Sequence, residues 1–503
     1  MTLTTTFAAR PPPAVLRLDH ALLRRAFFVM ALLLFAIAPF STDPIAFAAG
    51  AVVPWLVLRI VGTTTLPAAV VYFLIWQWLQ IFARTMTSLI DGEEMARGLF
   101  GPWVGEAYWY MLASIVVLAV AFRAVLTTVR RPTARQATAH LEWRPIDLFQ
   151  VYLATLLISS SARFLGEVVP ALDQPLDAVT RIKIVALFVL FAGVLSSGKG
   201  IGLLAIATAI ELVSGFSGLQ SEFRSVFIIL FMAAIAIRVR WTGVTAAVAG
   251  LGFVLLLLLA LFWTSVKADF RTFATNSDDS QNVKVELDAR FGYLGGRLLA
   301  PDEIDWNFAS YALLTRLAYV DIFGSVIGVK QFAPEQGSFR QWSDALSHVF
   351  QPRFLFPDKV PLSDTEVFIR LARGDSSEQL RRGTSISVGY LAENYVDFDF
   401  PGMLGGVFAI GLILAAMCRY FVSLPLPWMV REGIIMALIW AAGGTGVEVS
   451  LPKLFGAAVM FFVVYAMLAK FAFPVALRWL DGRAAAAQQQ EKLRQQARAI
   501  RQR

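Results

Sequence analysis

Cysteine and histidine are scarce in this chain of 503 residues, which has one cysteine and three histidines. The single cysteine, Cys418, excludes an intramolecular disulfide, a cysteine metal site and a thiol pair for redox chemistry. The histidines, His20, His140 and His348, are too far apart in the sequence to indicate a metal centre. We therefore expect neither a bound metal nor a cofactor.

Charged residues are also few. They make up 16% of the chain, hydrophobic residues make up 57%, and the mean hydropathy is +0.64. Soluble globular chains carry roughly 25% charged residues, so this composition predicts an integral membrane protein that crosses the bilayer many times. The net charge is +8, but the basic residues lie in short clusters between apolar runs, which is typical of orientation signals. We therefore do not expect nucleic acid as a partner.

The apolar runs predict an all-α protein with about twelve transmembrane helices, since about 20 apolar residues are enough to cross a bilayer. The expected spans are, approximately, 26–41, 45–61, 66–88, 104–124, 146–166, 180–197, 200–217, 223–237, 242–264, 402–422, 432–450 and 453–475. By the positive-inside rule, the most basic loop, which follows the fourth span, is cytoplasmic. The basic segments at both chain ends are then cytoplasmic as well.

These runs divide the chain into five segments. They are a basic arm (1–25), a nine-span bundle (26–264), a large loop with short helices on the outer face (265–401), three closing spans (402–477) and a basic tail (478–503). An alternative topology turns 306–328 into a further span. It would bury Arg316 and Asp321 at about 2.5 to 3.5 kcal/mol each and move the tail outside, so we favour an interfacial or loop helix.

The large loop carries local signals of an ordered structure. Ser363-Asp364-Thr365-Glu366 is a capping-box pattern, which predicts a helix that runs to about Arg373 and ends at Gly374. The loop also mixes both signs of charge, which favours a folded pocket over a simple tether to lipid headgroups.

Basic residues recur through the second half of the loop. Arginine matches phosphate oxygens with two parallel hydrogen bonds, so arginines beside a bilayer are suited to holding a lipid-linked diphosphate. The alternative for each is a solvated side chain or an ion pair with an acidic neighbour. The candidates for binding a diphosphate are Arg353, Lys359, Arg381 and Arg382 in the loop, with Arg224 at the start of the eighth span.

Two residues of the loop are candidates for acid–base catalysis. Glu393 lies near the predicted membrane edge, where a carboxylate can accept a proton from a sugar hydroxyl; its alternative role is at a helix end or in an ion pair. His348 is the only histidine of the outer loop and has a suitable pKa range, and its alternative role is structural. Further basic residues occur at outer span ends, where they are expected to reach lipid headgroups, with Glu211 as a possible partner: Arg84, Arg163, Arg181 and Lys183.

The order of these parts resembles a known family. The motifs are Ser221-Glu222-Phe223-Arg224, then Pro352-Arg353, Phe356-Pro357-Asp358-Lys359, Thr384-Ser385-Ile386-Ser387 and Gly389-Tyr390-Leu391-Ala392-Glu393. With two spans after the first motif, a long loop and three closing spans, the chain resembles the Wzy-type O-antigen and exopolysaccharide polymerases. It resembles the O-antigen ligases more distantly. The likeness in motifs covers about 220–420 and is one of topology elsewhere.

The resemblance implies a metal-independent glycosyltransferase with a GT-C-like membrane fold in the bacterial inner membrane. Its substrate would be an undecaprenyl-diphosphate-linked glycan on the periplasmic face, with Arg224, Arg353 and Arg382 binding the diphosphate. Membrane lipids, and a flippase and a chain-length regulator of the same pathway, are the implied partners. Three alternatives stay open: an O-antigen ligase, a lipid-glycan flippase or transporter, and a non-catalytic assembly scaffold.

Overall fold

The structure is a computed structural model, and it is helical throughout the residues that it describes. These are 20–62, 66–97, 101–127, 143–216, 223–237, 243–276, 283–332, 339–351, 356, 363–372, 386–444 and 446–501. Within these ranges the chain forms nineteen α-helices and no β-strand.

The first ten helices correspond to the predicted nine-span bundle. They are α1 (His20–Ile37), α2 (Pro44–Val61), α3 (Ala68–Asp91), α4 (Trp103–Leu126), α5 (Pro145–Val168), α6 (Asp173–Thr180), α7 (Ile182–Ser197), α8 (Ile201–Phe216), α9 (Arg224–Ala236) and α10 (Gly243–Ala274). The last of them continues ten residues past the predicted span end at 264.

The remaining nine helices form the large loop and the C-terminal part. Those of the loop are α11 (Leu287–Leu299), α12 (Trp306–Leu317), α13 (Val320–Phe332), α14 (Arg340–Phe350) and α15 (Asp364–Ala372). Those that follow are α16 (Tyr390–Ser423), α17 (Trp428–Gly443), α18 (Leu451–Phe471) and α19 (Phe473–Arg501).

Among the described residues, eight helical segments are long and apolar enough to cross a membrane. They are Leu23–Phe40, Pro44–Val61, Trp103–Leu126, Pro145–Val168, Pro170–Ser197, Ala246–Ala274, Tyr390–Ser423 and Leu451–Phe471. The prediction of an all-α protein with many membrane-spanning helices is confirmed at this level. Helices α12 and α13 are bent by 50° relative to each other. Together they would form a ninth span if the bent pair crosses the membrane as one unit.

The other four expected spans are helices that are shorter or less apolar. Helices α8, α9 and α17 have 16, 13 and 16 residues, fewer than the roughly 20 that cross a bilayer. Helix α3 has 24 residues but carries Gln77, Gln80 and Arg84, all of them buried. By length and composition alone, the described residues therefore contain eight or nine spans, and the count of about twelve stays a prediction.

Helix α17 lies at the centre of the bundle. It packs against α3, α7, α9, α16 and α18, and residues 434–439 are fully buried. A helix that is apolar on all sides is typical of such a position, because protein contacts every face. The turn 446–450, which leads from α17 into α18, is thereby fixed at one end of the bundle.

Helix α16 is broken at its tenth and eleventh residues, and the break defines a short N-terminal half at 390–398. Asp399 has φ 53° and Phe400 is extended, so neither continues the helix. Lys330 at the end of α13 stabilises the break, because its Nζ donates to the carbonyl of Val396 at 2.8 Å and contacts Asp399 Oδ1 at 2.6 Å. The short half is largely buried and carries Glu393.

The predicted capped helix of the loop is present as α15. The Glu366 backbone N–H donates to Ser363 Oγ at 3.3 Å, which is one half of the predicted capping box. The helix ends at Ala372 in the described chain, and the predicted stop at Gly374 lies outside the described residues.

Candidate functional site

Three basic side chains from three helices interact electrostatically with one carboxylate at the end of the bundle where α17 turns into α18. Glu448 of this turn interacts electrostatically with Arg224 of α9, Arg316 of α12 and Lys267 of α10. Arg271, one turn further along α10, also interacts with Arg316. We refer to Glu448, Arg224, Lys267 and Arg316 as the Glu448 cluster.

The turn that carries Glu448 is held by a buried glutamine of α3. Gln80 is 2% exposed, and its Oε1 accepts a hydrogen bond from the Val447 N–H at 2.8 Å. Gln80 also hydrogen-bonds to Glu448 through its side chain. Gly446 has φ +91°, and a Cβ there would overlap Gln80 Oε1. Only glycine therefore allows the backbone to approach Gln80 this closely.

The other side of the turn is held by the short half of α16. The Tyr390 N–H donates to the Val449 carbonyl at 2.7 Å, and the Leu451 N–H donates to Glu393 Oε2 at 2.6 Å. Leu451 is the first residue of α18, so Glu393 satisfies one of the backbone N–H groups that a helix start leaves free. With Gln80 on one side and α16 on the other, the turn has little freedom to move.

The charges in the Glu448 cluster do not balance. Three cations face one carboxylate, and none of these four residues makes an ion pair within 4.0 Å in the part of the chain that the structure describes. Burial raises the pKa of Glu448, while the three cations and the Gln80 hydrogen bond act in the opposite direction without cancelling the effect. The cluster is therefore suited to binding an anion beside a carboxyl group with elevated proton affinity.

Arg224 is positioned by the aromatic face of α3. Its guanidinium carbon lies 5.7 Å from the centre of the Trp76 ring, a cation–π contact. Tyr72 stacks on Trp76, with ring centres 6.2 Å apart and planes at 19°. Tyr72, Trp76 and Gln80 are four residues apart, which places them on one face of the helix.

A second set of polar contacts lies next to the cluster, at the start of α18. Ser450 Oγ donates to Asp364 Oδ1 at 2.9 Å, and Lys453 Nζ pairs with Asp364 Oδ2 at 2.6 Å. Asp364 in turn interacts electrostatically with Glu393. These contacts anchor the loop helix α15 to the end of the membrane bundle.

The sequence-predicted residues fall into three groups. Arg224 lies in the Glu448 cluster. Glu393 is 2% exposed and bonded to the start of α18, and His348 lies half-buried on α14. The structure thus gives Glu393 a structural contact and leaves acid–base roles for it and His348 as predictions. The remaining four lie outside the residues that the structure describes: Arg353, Lys359, Arg381 and Arg382.

Sequence reasoning missed Glu448, Lys267 and Arg316 as members of a site. Glu448 lay inside a predicted span (432–450), and its signal was a carboxylate close to that span's end. The four-residue spacing of Tyr72, Trp76 and Gln80 in α3 was a second signal, since polar groups on one face of an apolar helix indicate a protein-facing side.

Comparisons with known proteins give no match: no family model matches the chain, and none of the curated proteins or solved structures does. The function has to be inferred from the residues themselves.

Proposed function

We propose that this chain is a metal-independent membrane glycosyltransferase that polymerises undecaprenyl-diphosphate-linked oligosaccharide repeat units. The product would be a surface polysaccharide, either an O-antigen or an exopolysaccharide. The reaction would take place on the periplasmic face of the bacterial inner membrane, within a GT-C-like bundle of about twelve spans with both chain ends in the cytoplasm.

The observation that carries this proposal is the excess of positive charge around Glu448. A lipid diphosphate is a concentrated anion at the membrane surface, and arginine and lysine are the residues that bind it. Arg224, which the motif resemblance assigns to the diphosphate, is a member of the Glu448 cluster together with Lys267 and Arg316. The positive-inside rule predicts the outer face for this end of the bundle.

The chemistry needs both signs of charge. The bond from the anomeric carbon to the diphosphate oxygen breaks, and a new bond forms to the hydroxyl oxygen of the acceptor sugar. Negative charge develops on the leaving diphosphate, where fixed cations stabilise the transition state. The hydroxyl proton goes to a base, and we assign this role to Glu448 because its carboxyl group adjoins the cations. Glu393 and His348 stay as candidate bases from the sequence.

Holding two lipid-anchored substrates in one cleft would also lower the activation free energy of the transfer. Orientation of the reacting groups can be worth about 7 to 11 kcal/mol in favourable cases. The fixed 446–450 turn, bonded to Gln80 and to α16, provides the rigidity that such positioning requires.

The test is to supply the purified protein with one lipid-diphosphate repeat unit and no other acceptor. We expect a ladder of lengthened glycans on gels. Arg224→Ala and Arg316→Ala should each lower its rate about a hundredfold, because each removes a charge that faces the leaving group. Arg97→Ala is the matched control, since Arg97 is an exposed arginine whose only described ion pair is with Glu94 at 3.6 Å.

The outcomes separate the alternatives. Transfer that occurs only after a second acceptor is added would show a ligase, and transport of the lipid-linked glycan without any transfer would show a flippase. Full activity in Arg224→Ala or Arg316→Ala would remove that residue from the site. Arg353→Ala and Arg382→Ala, which the resemblance predicts to abolish the ladder, belong in the same series.

A further inference from the structure

A second basic cluster lies next to a different face of α9 from the one that carries Arg224. Three cations line a small cavity there: Arg163 of α5, Arg181 just before α7, and Lys183 within α7. Its lining also includes the polar residues Thr180 of α6, Glu211 of α8 and Ser225 of α9. Ser225 follows Arg224 directly, and successive residues of a helix point about 100° apart, so the two clusters face different sides of α9.

The basic residues of this cavity are only partly neutralised. Lys183 Nζ pairs with Glu211 Oε2 at 2.9 Å, while the Tyr152 hydroxyl donates to Glu211 Oε1 at 2.9 Å, so both carboxylate oxygens are engaged. Arg181 contacts Asp177 through one terminal nitrogen at 3.3 Å. Its Nε is buried and has no hydrogen-bond partner among the described residues.

Arg163 leaves a full positive charge at the cavity. It is exposed, and no carboxylate lies within 4.0 Å of it in the described ranges of the chain. A cavity with one such guanidinium, and with a second guanidinium that still has an unsatisfied donor, favours an anion with several acceptor oxygens.

The position of the cavity indicates where that anion comes from. Helix α5 is one of the membrane-spanning candidates, and its apolar side chains next to Arg163 are exposed: Phe164 by 64% and Val168 by 61%. Exposed apolar residues on a spanning helix face lipid tails, and arginines at the ends of such helices extend towards headgroups. A ligand that combines an anionic headgroup with acyl chains fits both surfaces.

We propose that Arg163, Arg181 and Lys183 bind the phosphate group of an anionic phospholipid at the lipid-facing side of α5. The site is independent of the glycosyltransferase proposal. It adjoins the Glu448 cluster, because Trp440 lines the cavity and stacks on Tyr72 with ring centres 6.3 Å apart, and Tyr72 stacks on Trp76 beneath Arg224. A bound lipid would therefore support the aromatic wall that positions Arg224.

The test measures lipid binding to the full-length protein by native mass spectrometry. Delipidated protein in detergent is titrated with phosphatidylglycerol and, separately, with phosphatidylcholine. We expect one phosphatidylglycerol to bind preferentially, and Arg163→Ala to weaken its binding about tenfold through the loss of a charged hydrogen bond. Arg163 is exposed and unpaired in the described chain, so the variant should fold. The matched control, Arg97→Ala, should bind like the wild type.

Three results would overturn the proposal. They are unchanged phosphatidylglycerol binding in Arg163→Ala, equal binding of phosphatidylcholine, and displacement of the lipid by an equimolar amount of inorganic phosphate. The last would show that the cavity takes a free phosphate and does not recognise a lipid headgroup.

Discussion

Glu448 combines two properties that a general base at a membrane surface needs. It lies half-buried in a fixed turn, and it faces three basic side chains. Burial raises its pKa above the ordinary glutamate value of 4.5, so the carboxyl group holds its proton to a higher pH than an exposed glutamate does. A base must be unprotonated to act, which makes activity sensitive to acidification.

The first prediction concerns pH. The rate of glycan lengthening should fall on acidification with a midpoint above 4.5, because the pKa of Glu448 is raised. Glu448→Gln should lower the rate at least a hundredfold and remove this acidic limb, since an amide takes up no proton. The measurement is the pH–rate profile of both proteins. An acidic limb that persists in Glu448→Gln would assign the titration to another group.

At the scale of single elements, the 446–450 turn determines where Glu448 lies. It is short, and its geometry depends on two glycines with positive φ, Gly446 within it and Gly389 opposite. A Cβ at Gly389 would overlap the Val447 carbonyl oxygen. Glycine at 389 therefore lets the start of α16 approach the turn, just as Gly446 lets the turn approach Gln80.

The second prediction tests this turn. Gly446→Ala should destabilise the protein by about 1 to 3 kcal/mol, because the φ is unfavourable and the methyl group overlaps Gln80. Activity should fall with it, as Glu448 is displaced. The control is Gly456→Ala in α18, where a Cβ would have no neighbour within 4 Å. The measurement is the melting temperature of each variant in detergent. Equal melting temperatures for Gly446→Ala and Gly456→Ala would show that the turn tolerates a side chain.

At the scale of the whole molecule, a cluster of charges ties the C-terminal helix to the bundle. Asp147 near the start of α5 is 1% exposed and accepts from Arg144 at 2.6 Å and from Arg483 of α19 at 3.2 Å. The indole of Trp143 donates to Asp481 of α19 at 2.8 Å. These contacts are the described anchor for a helix whose remainder is largely exposed and polar.

The third prediction concerns this anchor. Asp147→Asn should loosen the attachment of α19, because a neutral amide pairs less well with two guanidinium groups. We expect the free energy of unfolding to fall by about 1 kcal/mol, since both guanidinium groups are partly exposed and stay hydrated. Limited trypsin digestion should then cut near Arg483 faster than in the wild type. Glu491→Gln, on the exposed part of the same helix, should digest at the wild-type rate. Equal rates for all three proteins would show that other contacts hold α19.

Several features were predictable because their signals are local. The apolar runs predicted eight of the spans, and the capping pattern at Ser363 predicted the start of α15. The short, buried helix α17 was harder, because a run that is apolar enough to cross a bilayer has the same composition as one buried among other helices.

The site itself depended on distant parts of the chain. Arg224 was predicted from a motif, but its partners Lys267, Arg316 and Glu448 belong to three other segments, and nothing in their spacing predicts that they meet. Glu393 shows the same difficulty, because its hydrogen bond to Leu451 joins residues 58 positions apart.

The sequence by itself determined that this is a helical protein with many membrane-spanning segments, because the bilayer requires long apolar runs with internally satisfied backbone groups. It also determined that the basic residues would lie mostly at helix ends, where charged groups reach water. Only the tertiary structure decided which of these basic residues interact with the same carboxylate, Glu448. The packing of α3, α9, α10 and α12 around the 446–450 turn brings Arg224 to Glu448, 224 residues away, and that proximity follows from the shapes of whole helices.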